Sequence, residues 1–93
     1  ATSQTVLNEG QMIDRVGGSA ISRFFSPSGT PIAARALPPG TTGPLRAFEV
    51  LKSFSVESGS VAPAFGQLGM GTQFRSGMTL GELVEQGFLR ELL

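Results

Sequence analysis

The 93-residue chain has no histidine, no cysteine, no tryptophan and no tyrosine. Without histidine and cysteine there is no Ser-His-Asp triad, no cysteine nucleophile and no imidazole acid or base. A zinc or iron–sulfur site and a disulfide framework are excluded with them. A cysteine-free domain fits a reducing cytosol better than it fits a small extracellular scaffold. Excess charge is also missing, since seven basic and seven acidic residues cancel to a formal net charge of zero. That balance leaves no electrostatic footprint for non-specific nucleic-acid binding. Lys52 is the only lysine, so the basic residues are mostly arginines, which suit fixed, planar recognition of phosphate or carboxylate. No apolar run approaches the ~20 residues that span a bilayer. The first ten residues lack a basic segment followed by an apolar one, so neither a membrane anchor nor a signal segment is expected.

What is present are carboxylates, hydroxyls, amides, arginines, 7 phenylalanines, 13 glycines and 6 prolines. The length allows one small, loop-rich domain over residues 1–93. Residues 1–18 carry apolar pairs at Val6-Leu7 and Met12-Ile13 around Asn8-Glu9-Gly10, with no clear period. Residues 21–25 read as a strand stopped at Ser26-Pro27-Ser28-Gly29. Thr30-Pro31 then predicts an N-cap and first helical position for a short helix through Ala33, Ala34 and Arg35. Residues 45–51 alternate as a strand, with Phe48 and Val50 on one face, and a second strand follows around 54–56. Residues 57–77 are rich in glycine and predict a mostly irregular segment. A capping box at Thr79 and Glu82, a Met78/Leu83 staple and a stop at Gly87 predict a helix over 80–86. Residues 88–93 suit a closing strand.

Several residues invite a functional reading beside a plain one. The run Gly66-Gln67-Leu68-Gly69-Met70-Gly71-Thr72-Gln73-Phe74 lets backbone approach a ligand closely and ends in an amide beside an aromatic, although a turn between strands has the same composition. It is neither a P-loop nor a dinucleotide fingerprint. Arg15, Arg23, Arg35 and Arg46 could each be a solvated surface arginine, whereas two converging forks would grip a pyrophosphate bidentately. Glu49 could be a lone catalytic carboxylate or a solvent-facing strand residue.

The order of short motifs resembles one family. Ile13-Asp14-Arg15, Phe24-Phe25-Ser26-Pro27-Ser28-Gly29-Thr30-Pro31, Arg35-Ala36-Leu37-Pro38-Pro39, Phe48-Glu49-Val50-Leu51-Lys52 and Ala62-Pro63-Ala64-Phe65-Gly66-Gln67 follow the tuberculosis necrotizing toxin (TNT) domain pattern. So do Gly69-x-Gly71-x-Gln73-Phe74 and Gly87-Phe88-Leu89-Arg90-Glu91. The resemblance implies an α+β fold of small packed antiparallel β-sheets with short helices, related to ADP-ribosyltransferases. It implies an NAD+, and also NADP+, glycohydrolase toxin that releases nicotinamide and ADP-ribose, with no metal and no cofactor beyond the substrate. The alternatives are an ADP-ribosyl transferase or cyclase using the same pocket, and an inactive relative that binds a partner.

Matched motif by motif, Gln73 and Arg35 are the expected catalytic residues. Arg15, Phe24, Ser26, Gly69, Gly71 and Phe74 are the expected substrate-binding residues. Arg15 and Arg35 would hold the pyrophosphate and ribose side, and Phe24 would stack near the nicotinamide. The nicotinamide–ribose bond already has a cationic leaving group, so a site lacking histidine and cysteine suffices. The missing cysteines set the chain apart from disulfide-bearing fungal surface members. The family pattern therefore suggests the C-terminal part of a longer, secreted or injected bacterial effector. It would act in the target-cell cytoplasm and be neutralised in its producer by an immunity protein, without nucleic-acid or membrane partners.

Overall fold

The computed structural model describes residues 2–41 and 43–92, folded as seven strands and two short helices. The N-terminal stretch without a clear period forms β1 (Thr2–Leu7) and β2 (Met12–Val16). Alternation is weak there because β1 lies at a sheet edge, and only its last residue, Leu7, is buried in the core. The apolar run at 21–25 is only partly strand. β3 (Phe24–Pro27) starts later than expected, Ile21 being 79% exposed, and it continues through Ser26 because Ser26 pairs with Asp14 of β2.

A single turn of helix, α1 (Ile32–Arg35), follows, but Thr30 does not cap it. Pro31 holds the N-cap position, and the Thr30 hydroxyl instead donates to the Pro27 carbonyl at 2.7 Å, closing the preceding turn. Ala36, in the left-handed region at φ 46°, ends the helix before the Pro38-Pro39 pair. β4 (Leu45–Val50) matches the alternating run, with Phe48 and Val50 fully buried.

The glycine-rich segment is more regular than its composition implies. β5 (Phe54–Ser60) and β6 (Thr72–Ser76) occupy much of it, leaving 61–71 as the loop. β5 is bonded on both sides, to β1 and to β6, so ladder hydrogen bonds hold a stretch with few apolar side chains. α2 (Leu80–Glu85) carries the expected reciprocal capping box between Thr79 and Glu82. β7 (Leu89–Leu92) closes the described chain, and Leu93 of the expected closing strand lies outside the described residues.

The strands pair antiparallel throughout, in the order β1-β5-β6-β3-β2-β4-β7. One core cluster draws Leu7 from β1, Ile13 from β2, Phe25 from β3, Phe48 and Val50 from β4, and Leu80 and Leu83 from α2. Strands far apart in the sheet share that cluster, so the sheet curls around it. The β1–β2 turn shows the same closure, as Gly10 N donates to Val50 O at 2.8 Å and Val50 N to Gln11 O at 2.9 Å. The Phe25 and Phe48 rings meet edge to face at 5.9 Å in the middle. The result is a small antiparallel sheet with few short helices, which matches the expected architecture in outline, with one seven-strand order in place of separate packed sheets.

Candidate active site

Residues of β2, β3, β6 and α1 line a cleft of about 60 Å³. Alternation along β3 and β6 accounts for part of its lining. On β3, Phe25 turns into the core while Phe24 and Ser26 face the cleft, and on β6, Phe74 turns inward while Gln73 faces outward. Arg15, Phe24, Ser26, Arg35 and Gln73 line it together, joined by Val16, Phe25, Leu37 and Val61. Five of the eight expected site residues therefore meet at one place, from four elements.

Arg35 forms the deepest polar feature, with only 6% of its surface exposed. Its Nε and Nη2 donate to the Thr30 carbonyl at 3.1 and 2.8 Å. Nη2 also lies 2.8 Å from Asp14 Oδ1, and both side chains are almost fully buried. Asp14 is anchored in turn, because its Oδ2 accepts from the Gly29 backbone N–H at 3.2 Å. The one hydrogen bond Nη2 makes is to Thr30, so Asp14 Oδ1 is compensated by charge but accepts no well-aligned hydrogen bond. Nη1 of Arg35 is buried and has no hydrogen-bond acceptor among the described residues. An unsatisfied buried donor of this kind costs about 1–3 kcal/mol until something accepts from it. The residues alone did not mark Asp14 as a site residue. The one signal was a carboxylate inside an apolar strand segment, immediately before an arginine.

Arg15 is held differently. Its Nε donates to Gly17 O and its Nη1 to Phe24 O, each at 2.9 Å, which ties β2 to β3 beside the cleft. The guanidinium lies over Gly18, where a Cβ would come within 2.2 Å of Nε, so this glycine makes the space Arg15 occupies. Partial burial, and secondarily the charge of Arg46, lowers the Arg15 pKa from its ordinary value. Past Arg15 and Phe24 the cleft opens into a wider groove of about 570 Å³, whose other wall includes Ser22 and Arg23.

Three expected residues do not line the cleft. Phe74 is 6% exposed and belongs to the core, since it is adjacent to Gln73 on a strand and must face the other way. Gly69 and Gly71 instead fasten the 61–71 loop to α1, with Gly69 N donating to Ala33 O at 2.9 Å and Gly71 N to Ala34 O at 3.0 Å. A Cβ on Gly71 would sit 2.8 Å from the Ala34 carbonyl oxygen, so glycine permits the close approach that supports Arg35 from behind. The other candidates have plain roles. Glu49 forms a cross-strand ion pair with Arg90, and Arg46 forks onto both carboxylate oxygens of Glu91 at 2.8 Å.

The family profile described as Tuberculosis necrotizing toxin matches residues 6–92. The conidial surface nicotinamide adenine dinucleotide glycohydrolase nadA of Aspergillus fumigatus is 36% identical over 91 residues, covering 89% of this chain and 38% of that protein. The chain thus spans well under half the length of the curated relative it matches. Among solved structures, tuberculosis necrotizing toxin complexed with its immunity factor IFT superposes with a TM-score of 0.71 at 23% identity, over 94% of this chain and 54% of that one. Tse6 in complex with Tsi6 gives 0.70 at 16% identity, over 100% and 72%. Rhs1-CT in complex with its immunity protein RhsI1 gives 0.64 at 22%, over 99% and 77%. At those identities the structural likeness is one of fold.

Proposed function

The chain belongs to the tuberculosis necrotizing toxin family, and from that premise we propose that it is an NAD+ glycohydrolase whose active site is the cleft between Gln73, Arg35, Arg15, Phe24 and Ser26. The observation that carries this reading is the convergence of those five side chains on one cleft. The name of the 36%-identical relative supports the same chemistry.

In the reaction the bond between nicotinamide nitrogen and ribose C1 breaks, and its electron pair neutralises the pyridinium. The ribose passes through an oxocarbenium-like state, a water oxygen bonds to C1, and one proton is released to solvent. Since the leaving group departs neutral, no side chain has to protonate it. Phe24, 45% exposed at the rim, offers a flat apolar face to the nicotinamide ring. Gln73 can accept from a ribose hydroxyl through its carbonyl, or from the attacking water, and can donate through its amide. The site acts by positioning and preorganised electrostatics, which suits a chain lacking histidine and cysteine.

Hydrolysis of NADP+, a toxin role inside a target cell, and neutralisation by an immunity protein belong to the same proposal. Two solved neighbours of like fold, one complexed with its immunity factor and one with its cognate immunity protein, support it. The greater length of the relatives supports reading residues 1–93 as the catalytic part of a longer secreted or injected effector. Incubating the purified chain with NAD+ or NADP+ and separating the products tests the reading. Nicotinamide and linear ADP-ribose are the expected products. Cyclic ADP-ribose, modified protein, or no release at all would contradict it.

A further inference from the structure

Arg46 lines neither the cleft nor the groove, yet it does more than fork onto Glu91. In the β2–β4 ladder it stands directly opposite Arg15, and two like charges at such a pair ordinarily destabilise a sheet. The fold keeps them side by side and gives each a hold on the same corner of backbone. Arg15 Nε donates to the Gly17 carbonyl at 2.9 Å, and Arg46 Nη1 donates to the next carbonyl, that of Gly18, at 3.2 Å. Both glycines are left-handed, at φ 62° and 102°. The approach to β4 packs on the same corner, since Gly17 N donates to Pro44 O at 2.9 Å and a Cβ on Gly43 would come within 2.9 Å of Gly17 Cα. Arg46 is fixed in turn, because its Nε and Nη2 each meet a carboxylate oxygen of Glu91 on β7 at 2.8 Å. Glu91 thereby offsets the charge that Arg46 brings up to Arg15.

We propose that Arg46 and Glu91 are positioning residues for Arg15, bracing the Gly17-Gly18 corner from the side of β4 and β7. This rests on the NAD+ glycohydrolase reading, in which Arg15 binds substrate, and it adds two residues that do not touch substrate. The Arg15 guanidinium is held by the carbonyls of Gly17 and Phe24, so its plane is only as fixed as they are. Phe24 lies on a strand paired with β6, whereas Gly17 lies in a two-glycine corner, the backbone with the most freedom to move. The Gly17 N–H and the Gly18 carbonyl flank the Gly17 carbonyl in the chain, and bonds from β4 and the approach to it hold both. Only an arginine suits this brace, because two nitrogens of its planar fork engage Glu91 while the third reaches Gly18. The neighbouring β4–β7 ion pair, Glu49 with Arg90, makes no bond to the corner and is a control built into the same two strands.

KM and kcat for NAD+, measured on the full chain, separate a brace from a mere charge. Arg46→Gln and Glu91→Gln change the net charge in opposite directions, so an effect of field alone would move KM for the anionic substrate in opposite directions. Loss of the brace should instead raise KM about fivefold in both, with kcat within about twofold of the parent. Arg46→Lys keeps the charge without the fork and should not rescue. Arg15→Gln should raise KM by itself, and adding Arg46→Gln to it should raise KM by less than about twofold more, because the brace then has nothing to hold. Arg90→Gln should leave both constants unchanged. Hydrogen exchange at Arg15 Nε, followed by NMR, reads the corner without any turnover. It should quicken about tenfold in Arg46→Gln and in Glu91→Gln and stay at the parent rate in Arg90→Gln. Opposite KM shifts, full additivity with Arg15→Gln, or unchanged exchange at Arg15 Nε would overturn the proposal. A parent chain that releases no nicotinamide fails the glycohydrolase reading instead, and the exchange rates still decide whether the corner is braced.

Discussion

At the scale of single residues, the cleft depends on which neighbour in a strand faces which way. Gln73 and Phe74 are adjacent in sequence, and both looked functional as the close of a glycine-rich run. The strand puts Gln73 in the cleft and Phe74 in the core. Motif order alone cannot make that separation, because it records neighbours without the pleat. Arg35 was legible as a site residue, but its burial was not, since Asp14, its counter-ion, is distant in sequence and meets it only through the fold. Arg35→Ala would strand the Asp14 carboxylate and should cost about 3–5 kcal/mol in denaturant unfolding. Lys52→Ala, which loses only a cation–π contact with Phe88, should cost below about 1 kcal/mol. A cost for Arg35→Ala no larger than for Lys52→Ala would mean the ion pair is not formed. At Gly71 the added methyl of Gly71→Ala would meet the Ala34 carbonyl and push the loop off α1. A lower kcat with the fold retained is expected, read from turnover and circular dichroism together.

At the scale of elements, the helix over 80–86 was legible because its signals are local. The capping box is complete within four residues, and the structure reproduces both of its hydrogen bonds. β1, β2 and most of β5 were not legible, because an edge strand and a polar central strand owe their form to partners elsewhere in the chain. The cap makes a stability prediction. Thr79→Ala removes the acceptor for Glu82 N and should cost about 1 kcal/mol, lowering Tm by about 4–8 °C for a domain of this size. The same element sets a pH dependence. Hydrogen bonds from Thr79 hold the Glu82 carboxyl below its ordinary value of 4.5, and the bond from Arg46 lowers that of Glu91 likewise. A carboxylate depressed in the folded state stabilises above its unfolded pKa and loses that contribution as pH falls through the folded one. Tm should therefore hold from pH 7 to about 5 and decline below about 4.5. The decline should be shallower in Glu82→Gln, which has no carboxylate to protonate, and equal slopes in the two proteins would show that the cap is not titrating.

At the scale of the whole molecule, a curled antiparallel sheet holds one core cluster and the cleft beside it. β3, β2 and β6 lie side by side in the middle of the strand order, so the residues they present are held by paired strands on both flanks. Absence of histidine and cysteine narrowed the chemistry from the outset, and the structure brings two arginines, an exposed aromatic and one amide to the same cleft. The α+β class and the motif order were open to inspection in the sequence. Strand order was not, because it is set by long-range pairing that leaves no periodic trace in 93 residues. The central claim is that Gln73, in this cleft, performs NAD+ cleavage. The most direct measurement is nicotinamide release from NAD+ by the purified parent chain and by Gln73→Ala, with matched thermal unfolding as proof of fold. The account predicts release by the parent and a loss of at least about a hundredfold in kcat for the variant. Undiminished release by a folded Gln73→Ala would contradict it.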